Sequence, residues 1–490
     1  MTAITEKDLL TDVPDGLFIG GEWRPATGGA TMTVQDPATG ETIKTIADAS
    51  VDDAKAAMDA AAAASATWAA TAPRQRGELL RRAFEAVIAR ADDFALLMTL
   101  EMGKPLAESR GEVTYGAEFL RWFSEEAVRI TGRYGINPEG TGRMIVSQHP
   151  VGPCYLITPW NFPLAMATRK IAPALAAGCT VIVKPASLTP LTTLLFVKVL
   201  EEAGLPAGVV NVLTTSHSGA VSEPIFADRR LRKLSFTGST SVGVALLKQA
   251  ANGVLRTSME LGGNAPFVVF DDADLDQAVD GAMMAKFRNI GQACTAGNRF
   301  IVHESIADEF AARVTARVKE FKVGRGTEPG VGIGPLIDQD AIEKVGALVT
   351  DAVGRGASVL TGGSAIDGKG TFFQPTVIDD VQAGSDILSE EIFGPVLSII
   401  RFKDEAEAVR LANDTEFGLI GYVFTKDLAR GQRLIESIDT GMMGLNIGVV
   451  SNAAAPFGGV KQSGLGREGG FEGIHEYLAT KYTMTPNPNA

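Results

Sequence analysis

The pattern of apolar and polar positions divides the chain into three stretches. Residues 17–46 change character over short spans: Leu17-Phe18-Ile19, Thr31-Met32-Thr33-Val34 and Glu41-Thr42-Ile43. This predicts small strands joined by turns such as Gly20-Gly21. Ser50, with Asp53 three residues on, is an N-cap pattern, and the alanine-rich segment Ala54 to Ala70 has high helix propensity. Arg74 to Glu101 and Leu106 to Ile130 continue at helical spacing. Gly132 to His149, richer in glycine and strand formers, predicts a protruding strand pair.

From Val151 the rhythm changes. Short apolar runs end in turns and are followed by helical patterns: Cys154-Tyr155-Leu156-Ile157, Thr180-Val181-Ile182-Val183, Val209 to Leu213, Lys233 to Phe236 and Thr257 to Glu260. Apolar runs without alternation suit strands buried on both faces, and strand–helix alternation implies a parallel, doubly wound sheet. Ligands in such sheets bind outside the carboxyl ends of the strands. A second α/β set follows, with strands at Pro266 to Phe270, Phe300 to Val302, Pro395 to Phe402 and Ile420 to Phe424, and a helix capped within Asp271-Asp272-Ala273-Asp274. Two α/β domains therefore meet near 260–290, and Tyr477 to Met484 is a late strand beyond the second.

Composition narrows the function classes. At 490 residues, 45% hydrophobic and 21% charged, the chain has the makeup of a globular protein of two or three domains. A net charge of −13 disfavours nonspecific binding to nucleic acid or anionic membranes. Cys154, Cys179 and Cys294 form no disulfide framework, and the four histidines lie far from them, so no metal site is expected. The polar N-terminus has no signal-peptide apolar core, and the run Ile171 to Val183 is too short to span a bilayer. The expectation is a cytoplasmic protein in a reducing compartment.

Several residues carry candidate chemistry. Cys294 sits among small and polar neighbours, Gly291-Gln292-Ala293 and Thr295-Ala296-Gly297, a setting for an accessible thiolate nucleophile. Gly238 and Gly243 flank a strand-to-helix turn where helix N–H groups and Ser239 could meet a pyrophosphate, although no G-x-G-x-x-G fingerprint is present. Lys184 ends an apolar run, where its amine could reach a ribose hydroxyl or phosphate. Asn161, between two prolines, could donate to an oxyanion. Glu260 could act as a general base and Glu391 could hold sugar hydroxyls. Taken singly, each also has an ordinary explanation: an inert buried thiol, a turn, a snorkelling lysine, a turn asparagine, a solvated glutamate.

Together these residues resemble the aldehyde dehydrogenase superfamily. Pro159-Trp160-Asn161, Lys184-Pro185-Ala186, the Gly238–Gly243 turn, Glu260-Leu261-Gly262-Gly263, Gly291-Gln292-Ala293-Cys294, Glu391-Ile392-Phe393-Gly394-Pro395 and Pro456-Phe457-Gly458-Gly459 follow that family's order and spacing. The resemblance implies a doubly wound cofactor-binding domain (1–130 and 150–261), an α/β catalytic domain (262–460) and a small β oligomerisation element (131–149 and 470–490) in a homodimer or homotetramer. It assigns Cys294 as nucleophile, Glu260 as base and Asn161 as oxyanion donor alongside the Cys294 N–H. NAD or NADP contacts fall to Thr158, Pro159, Trp160, Lys184, Ala186, Ser187, Gly238, Ser239, Gly243, Leu261, Glu391 and Phe393, with no metal.

The match extends to the succinate-semialdehyde dehydrogenase branch, through Thr168-Arg169-Lys170, Lys286-Phe287-Arg288-Asn289 and Pro456 to Gly469. It implies that Arg169, Arg288 and Ser451 bind the carboxylate of a small semialdehyde, as guanidinium forks do. A helix-surface position for Arg169 is the competing expectation. Glutarate-semialdehyde and broad aliphatic aldehyde oxidation on the same scaffold, and a non-catalytic protein of this fold, are the alternatives. Ser187 replaces the glutamate of many NAD-preferring relatives, which favours NADP. Ala296 occupies the place where many relatives carry a second cysteine, so no disulfide switch is expected within the Cys294 loop.

Overall fold

The structure is a computed structural model describing residues 5–490. Two extended sheets dominate it. The first has eight strands in the order Glu22–Arg24, Leu17–Ile19, Val210–Val212, Val181–Lys184, Cys154–Ile157, Lys233–Thr237, Arg256–Glu260, Gly464–Leu465. The central five are parallel, and the flanking strands pair antiparallel. Their residues are buried along nearly their whole length, as a sheet covered on both faces requires. The order reverses between Cys154–Ile157 and Lys233–Thr237, and such a reversal opens a crevice at the carboxyl ends of the strands.

The second sheet has seven strands, in the order Ser358–Thr361, Thr376–Asp379, Val396–Phe402, Gly297–His303, Ala265–Val269, Ile420–Phe424, Met442–Leu445. All pairings are parallel except that of Ser358–Thr361. Only residues 261–264 separate the end of Arg256–Glu260 from the start of Ala265–Val269. The carboxyl edge of the first sheet thus faces the amino edge of the second. Gly263 is needed in this link, because a Cβ there would lie 2.4 Å from the Cys294 carbonyl oxygen. Each sheet carries its own apolar core.

Ser50 and Asp53 form the expected reciprocal capping box at the start of helix Val51–Ala70. The expected helix from Arg74 to Glu101 is instead two, Pro73–Ala89 and Ala91–Met102. Arg90, with φ of −109° and ψ of 25°, stands at the break, and its guanidinium pairs with Asp93 in the next helix and with Asp12 in the N-terminal one. The helix expected to reach Ile130 is Leu106–Glu126. The strand pair is present as Arg133–Ile136 and Gly142–Pro150, and the late strand Leu478–Pro486 pairs antiparallel along all of Gly142–Pro150. Within 470–490, the short helix Glu472–His475 packs instead on helix Pro163–Ala177.

Candidate active site

Register decides which side chains meet. Ile157 pairs with Lys184 and with Phe236, and Thr237 pairs with Glu260, so the loops after four parallel strands leave at one level. Those loops carry Pro159-Trp160-Asn161, Pro185-Ala186-Ser187, Gly238-Ser239 and Leu261-Gly262. The nucleophile loop 289–294 arrives from the second sheet, just before strand Gly297–His303. A cavity of about 310 Å³ lies between. Its wall includes Pro159, Trp160, Asn161, Gly238, Ser239, Leu261, Cys294, Glu391, Phe393, Arg169, Arg288 and Ser451. Thr158, Lys184, Ala186, Ser187 and Gly243 lie outside that wall, along the carboxyl edge of the first sheet.

The loop that presents Cys294 is strained. Asn289, Ile290 and Gly291 have φ of 55°, 62° and 74°, a left-handed run in which an isoleucine is costly. It is held from several sides. Glu108 accepts the Asn289 N–H, and Asn289 Nδ2 donates to the carbonyls of Asn161 (3.0 Å) and Gln292 (2.8 Å). Ile337 N donates to Gln292 Oε1 (3.0 Å). Gly291 cannot be replaced easily, since a Cβ there would lie 2.2 Å from the Gly394 carbonyl.

Cys294 is half-buried on the cavity wall, and its thiol holds its proton more tightly than an ordinary cysteine. Burial comes first, then the charges of Glu391 and Glu260, and together they push the Cys294 thiol up to about 12, with Arg169 and Arg288 pulling the other way. Asn161 Nδ2 donates to the Gln292 carbonyl at 3.0 Å, which fixes the amide beside this loop.

Glu260 is only 2% exposed and does not itself line the cavity, and neither carboxylate oxygen has a hydrogen-bond partner among the described residues. It lies beside Gly458, where a Cβ would come within 3.0 Å of Oε1. Burial, followed by the charge of Glu468, raises its proton affinity well above that of an ordinary carboxylate. Burial also acts on Glu468, but Lys170 (2.5 Å) and Arg169 outweigh it and keep that carboxylate ionised.

Arg169 is 2% exposed, which removes the helix-surface alternative. Helix Pro163–Ala177 carries it inward, its plane lies over Phe457 at 4.1 Å, and one nitrogen bonds the Tyr115 hydroxyl. Its Nε has no partner, although the side chain lines the cavity. Arg288 is half-buried on the same cavity and lies 3.5 Å from Thr295 Oγ1.

At the sheet edge, Ser239 caps helix Thr240–Asn252 without using its hydroxyl for the cap, so the helix N–H groups and hydroxyl remain free for an anion. Gly243 serves packing: a Cβ there would lie 2.4 Å from Leu261 Cδ2. Burial lowers Lys184 to about 8, and its amine donates to Ser218 Oγ at 3.2 Å. Glu391 accepts from Gly263 N (3.1 Å), and burial raises it to about 7. Trp160 and Phe393 meet edge to face at 5.4 Å. These groups fit an anionic dinucleotide: donors for phosphates, a carboxylate for hydroxyls, and an aromatic wall.

Tyr115, Lys104, Glu112, Lys170 and Glu468 were not singled out in the sequence, yet they surround the site. One signal was available: Glu112, Tyr115 and Phe119 recur at helical spacing on one face, placing a carboxylate and a phenol on the buried side of helix Leu106–Glu126.

Residues 23–483 match the Aldehyde dehydrogenase family. The chain is 60% identical over 446 residues to a succinate-semialdehyde dehydrogenase of Paenarthrobacter nicotinovorans, covering 91% of this chain and 99% of that one. It is 48% identical to a glutarate-semialdehyde dehydrogenase of Pseudomonas putida, over 95% and 96% of the two chains. The crystal structure of an E. coli NADP-dependent enzyme superposes with a TM-score of 0.96 at 46% identity, over 97% and 98%.

Proposed function

The chain belongs to the aldehyde dehydrogenase family, and from that premise we propose that it oxidises succinate semialdehyde to succinate, with NADP or NAD as hydride acceptor. The observation that carries the substrate is Arg169: a buried guanidinium on the cavity wall, 3.5 Å from Glu468, whose Nε and Nη1 still lack a hydrogen bond among the described residues. An unpaired buried donor is costly, and a carboxylate satisfies it. Arg288 and Ser451 line the same cavity and complete the anion pocket.

In this mechanism Cys294 Sγ adds to the aldehyde carbon as the thiol proton passes to solvent water. Asn161 Nδ2 and the Cys294 N–H donate to the oxygen that becomes negative. A bound nicotinamide nucleotide supplies the hydride acceptor that turns the Cys294 thiohemiacetal into a thioester. Glu260 then rotates away from Gly458 and Glu468 toward the cavity. Away from that like charge the carboxyl gives its own proton to solvent. The carboxylate then takes a proton from the hydrolytic water as the water oxygen adds to the thioester carbon. The C–S bond breaks, the acid leaves, and the proton passes back to the Cys294 sulfur. Lys184, Ala186, Ser187, Gly238, Ser239 and Glu391 hold the nucleotide. Ser187 places no charge beside a 2′-phosphate, which favours NADP.

Glutarate semialdehyde is the second reading, supported by the 48%-identical relative. The two substrates differ by one methylene, worth about 1–3 kcal/mol in a pocket. Self-association is proposed through the three-stranded sheet, whose Tyr134, Ile136, Tyr482 and Met484 are exposed.

Arg288→Ala tests the anion pocket. The kcat/KM for succinate semialdehyde should fall about 10- to 100-fold, the worth of a charged hydrogen bond, while that for butanal stays within about twofold. Equal losses on both aldehydes would remove the carboxylate claim.

A further inference from the structure

Helix Ala91–Met102 ends at Gly103, with φ of 91°, and helix Leu106–Glu126 starts after Pro105. Lys104 is the elbow between them. Other backbone packs closely on the elbow: a Cβ at Gly326 would lie 2.5 Å from the Lys104 carbonyl oxygen, and one at Gly334 would lie 2.0 Å from that of Gly103. Lys104 is 1% exposed, where a lysine ordinarily keeps its ammonium in water.

Its ammonium has definite partners. It bonds Glu112 Oε2, donates to the Asn161 carbonyl at 2.7 Å, and lies 4.2 Å from the centre of the Phe162 ring. The other Glu112 oxygen accepts from Leu164 N (3.0 Å) and Ala165 N (3.1 Å). Those N–H groups open helix Pro163–Ala177, whose capping residue Phe162 has no side chain able to do so. A buried ion pair is a weak source of stability in itself, since apolar residues of like size often replace one without loss. What this pair does specifically is hold a backbone carbonyl. The Asn161 carbonyl is gripped by Lys104 from the elbow and by Asn289 Nδ2 from the nucleophile loop, while the Asn161 amide points to the same loop through Gln292.

We propose that Lys104, held by Glu112, is a positioning residue that fixes the Asn161 side chain where the substrate oxyanion forms. The inference rests on the oxyanion role proposed for Asn161. Stabilisation of a developing charge depends on a donor already aimed at it, and a loosened backbone at Asn161 forfeits part of that preorganisation. Lys104 does not line the cavity, and in this proposal it acts through Asn161.

The test is a double-mutant cycle on the full chain with nucleotide bound. The single-turnover rate of nucleotide reduction by Lys104→Met should fall about 10- to 100-fold, a fraction of what removing an oxyanion donor costs. The KM for semialdehyde and the nucleotide Kd should stay within about twofold. Asn161→Ala should be slower still, and the double variant no slower than Asn161→Ala by more than about twofold, because the lysine has nothing left to position. Alkylation of Cys294 by iodoacetamide, which forms no oxyanion, should be unchanged in Lys104→Met. Losses that multiply in the double variant, or alkylation and nucleotide binding that fall along with turnover, would overturn the proposal. If Lys104→Met does not fold, Glu112→Gln must show the same selective loss; an unaltered rate there overturns it equally. A parental rate in Asn161→Ala would instead bring down the oxyanion reading on which this rests.

Discussion

The two ends of the cleft are built in opposite ways. At the sheet edge, Lys184, Ser187 and Ser239 sit on ordinary strand-to-loop backbone with few side-chain bonds: the Lys184 amine reaches Ser218, Ser239 approaches only Ser241 at 3.4 Å, and Ser187 makes no side-chain hydrogen bond. At the thiol, three successive left-handed residues are clamped by Glu108, Asn161, Gln292 and Ile337. Left-handed conformation costs an isoleucine roughly 1–2 kcal/mol, and the surrounding contacts must hold it there. Binding a long flexible anion needs donors spread over a surface, and small displacements there are tolerated. Capturing a carbonyl carbon needs one atom in one place, so that end is over-determined.

The largest effect that separates the two ends comes from Glu260→Gln. The side chain keeps its size, and its oxygens accept no hydrogen bonds in this structure, so folding should be little disturbed. Hydrolysis of the thioester should slow about 10²- to 10⁴-fold, the usual worth of a general base. One nucleotide per site should be reduced in a burst, followed by a stall, with an acyl adduct on Cys294 visible by mass spectrometry. Nucleotide affinity should hold within about twofold. Linear turnover near the parental rate would show that Glu260 never leaves the Gly458 side.

What the sequence made legible follows the same division. The strands, their ends and the loops at the sheet edge were readable, because apolar runs such as Val181 to Val183 and the lysine that closes them are local patterns. Cys294, Asn161 and Arg169 could be named from their motifs. The devices that hold them could not: Glu108 to Asn289, Lys104 to Asn161 and Lys170 to Glu468 join residues 181, 57 and 298 positions apart. Nor could a motif reveal that Glu260 lies beside Gly458 and within reach of the Glu468 charge, which depends on where residues 458–468 return to the first sheet. The partner of Arg90 at the helix break was hidden for a similar reason, since Asp12 lies in another helix.

A pH series sharpens the contrast, because the two ends titrate in opposite senses. The Cys294 thiol of the free enzyme is pushed up to about 12, so its thiolate fraction climbs tenfold per pH unit through neutrality. Iodoacetamide alkylation should rise with unit slope from about pH 7 to about pH 10 without a plateau. The buried amine of Lys184 is lowered to about 8, so it is cationic below that value and loses its charge above it. Nucleotide affinity should therefore weaken roughly 3- to 10-fold as pH rises through about 8, while thiol reactivity is still climbing. An alkylation plateau near neutral pH, or affinity flat across the range, would mean that the electrostatic difference between the two ends is not real.

The smallest effect tests the sheet edge by itself. Ser187 is half-buried and its hydroxyl bonds nothing, so Ser187→Glu should leave the thermal midpoint within about 1 °C. A carboxylate beside a 2′-phosphate sets two like charges close together near solvent, a repulsion of about 1–2 kcal/mol. The kcat/KM with NADP should then fall about 5- to 30-fold, with NAD changed by no more than about twofold. The loss should appear in KM and not in kcat, because the adenine end holds the nucleotide without touching the reacting carbon. A drop in kcat with both nucleotides would mean that the loose end and the clamped end are mechanically joined, and the division of labour drawn from their backbones would have to be given up.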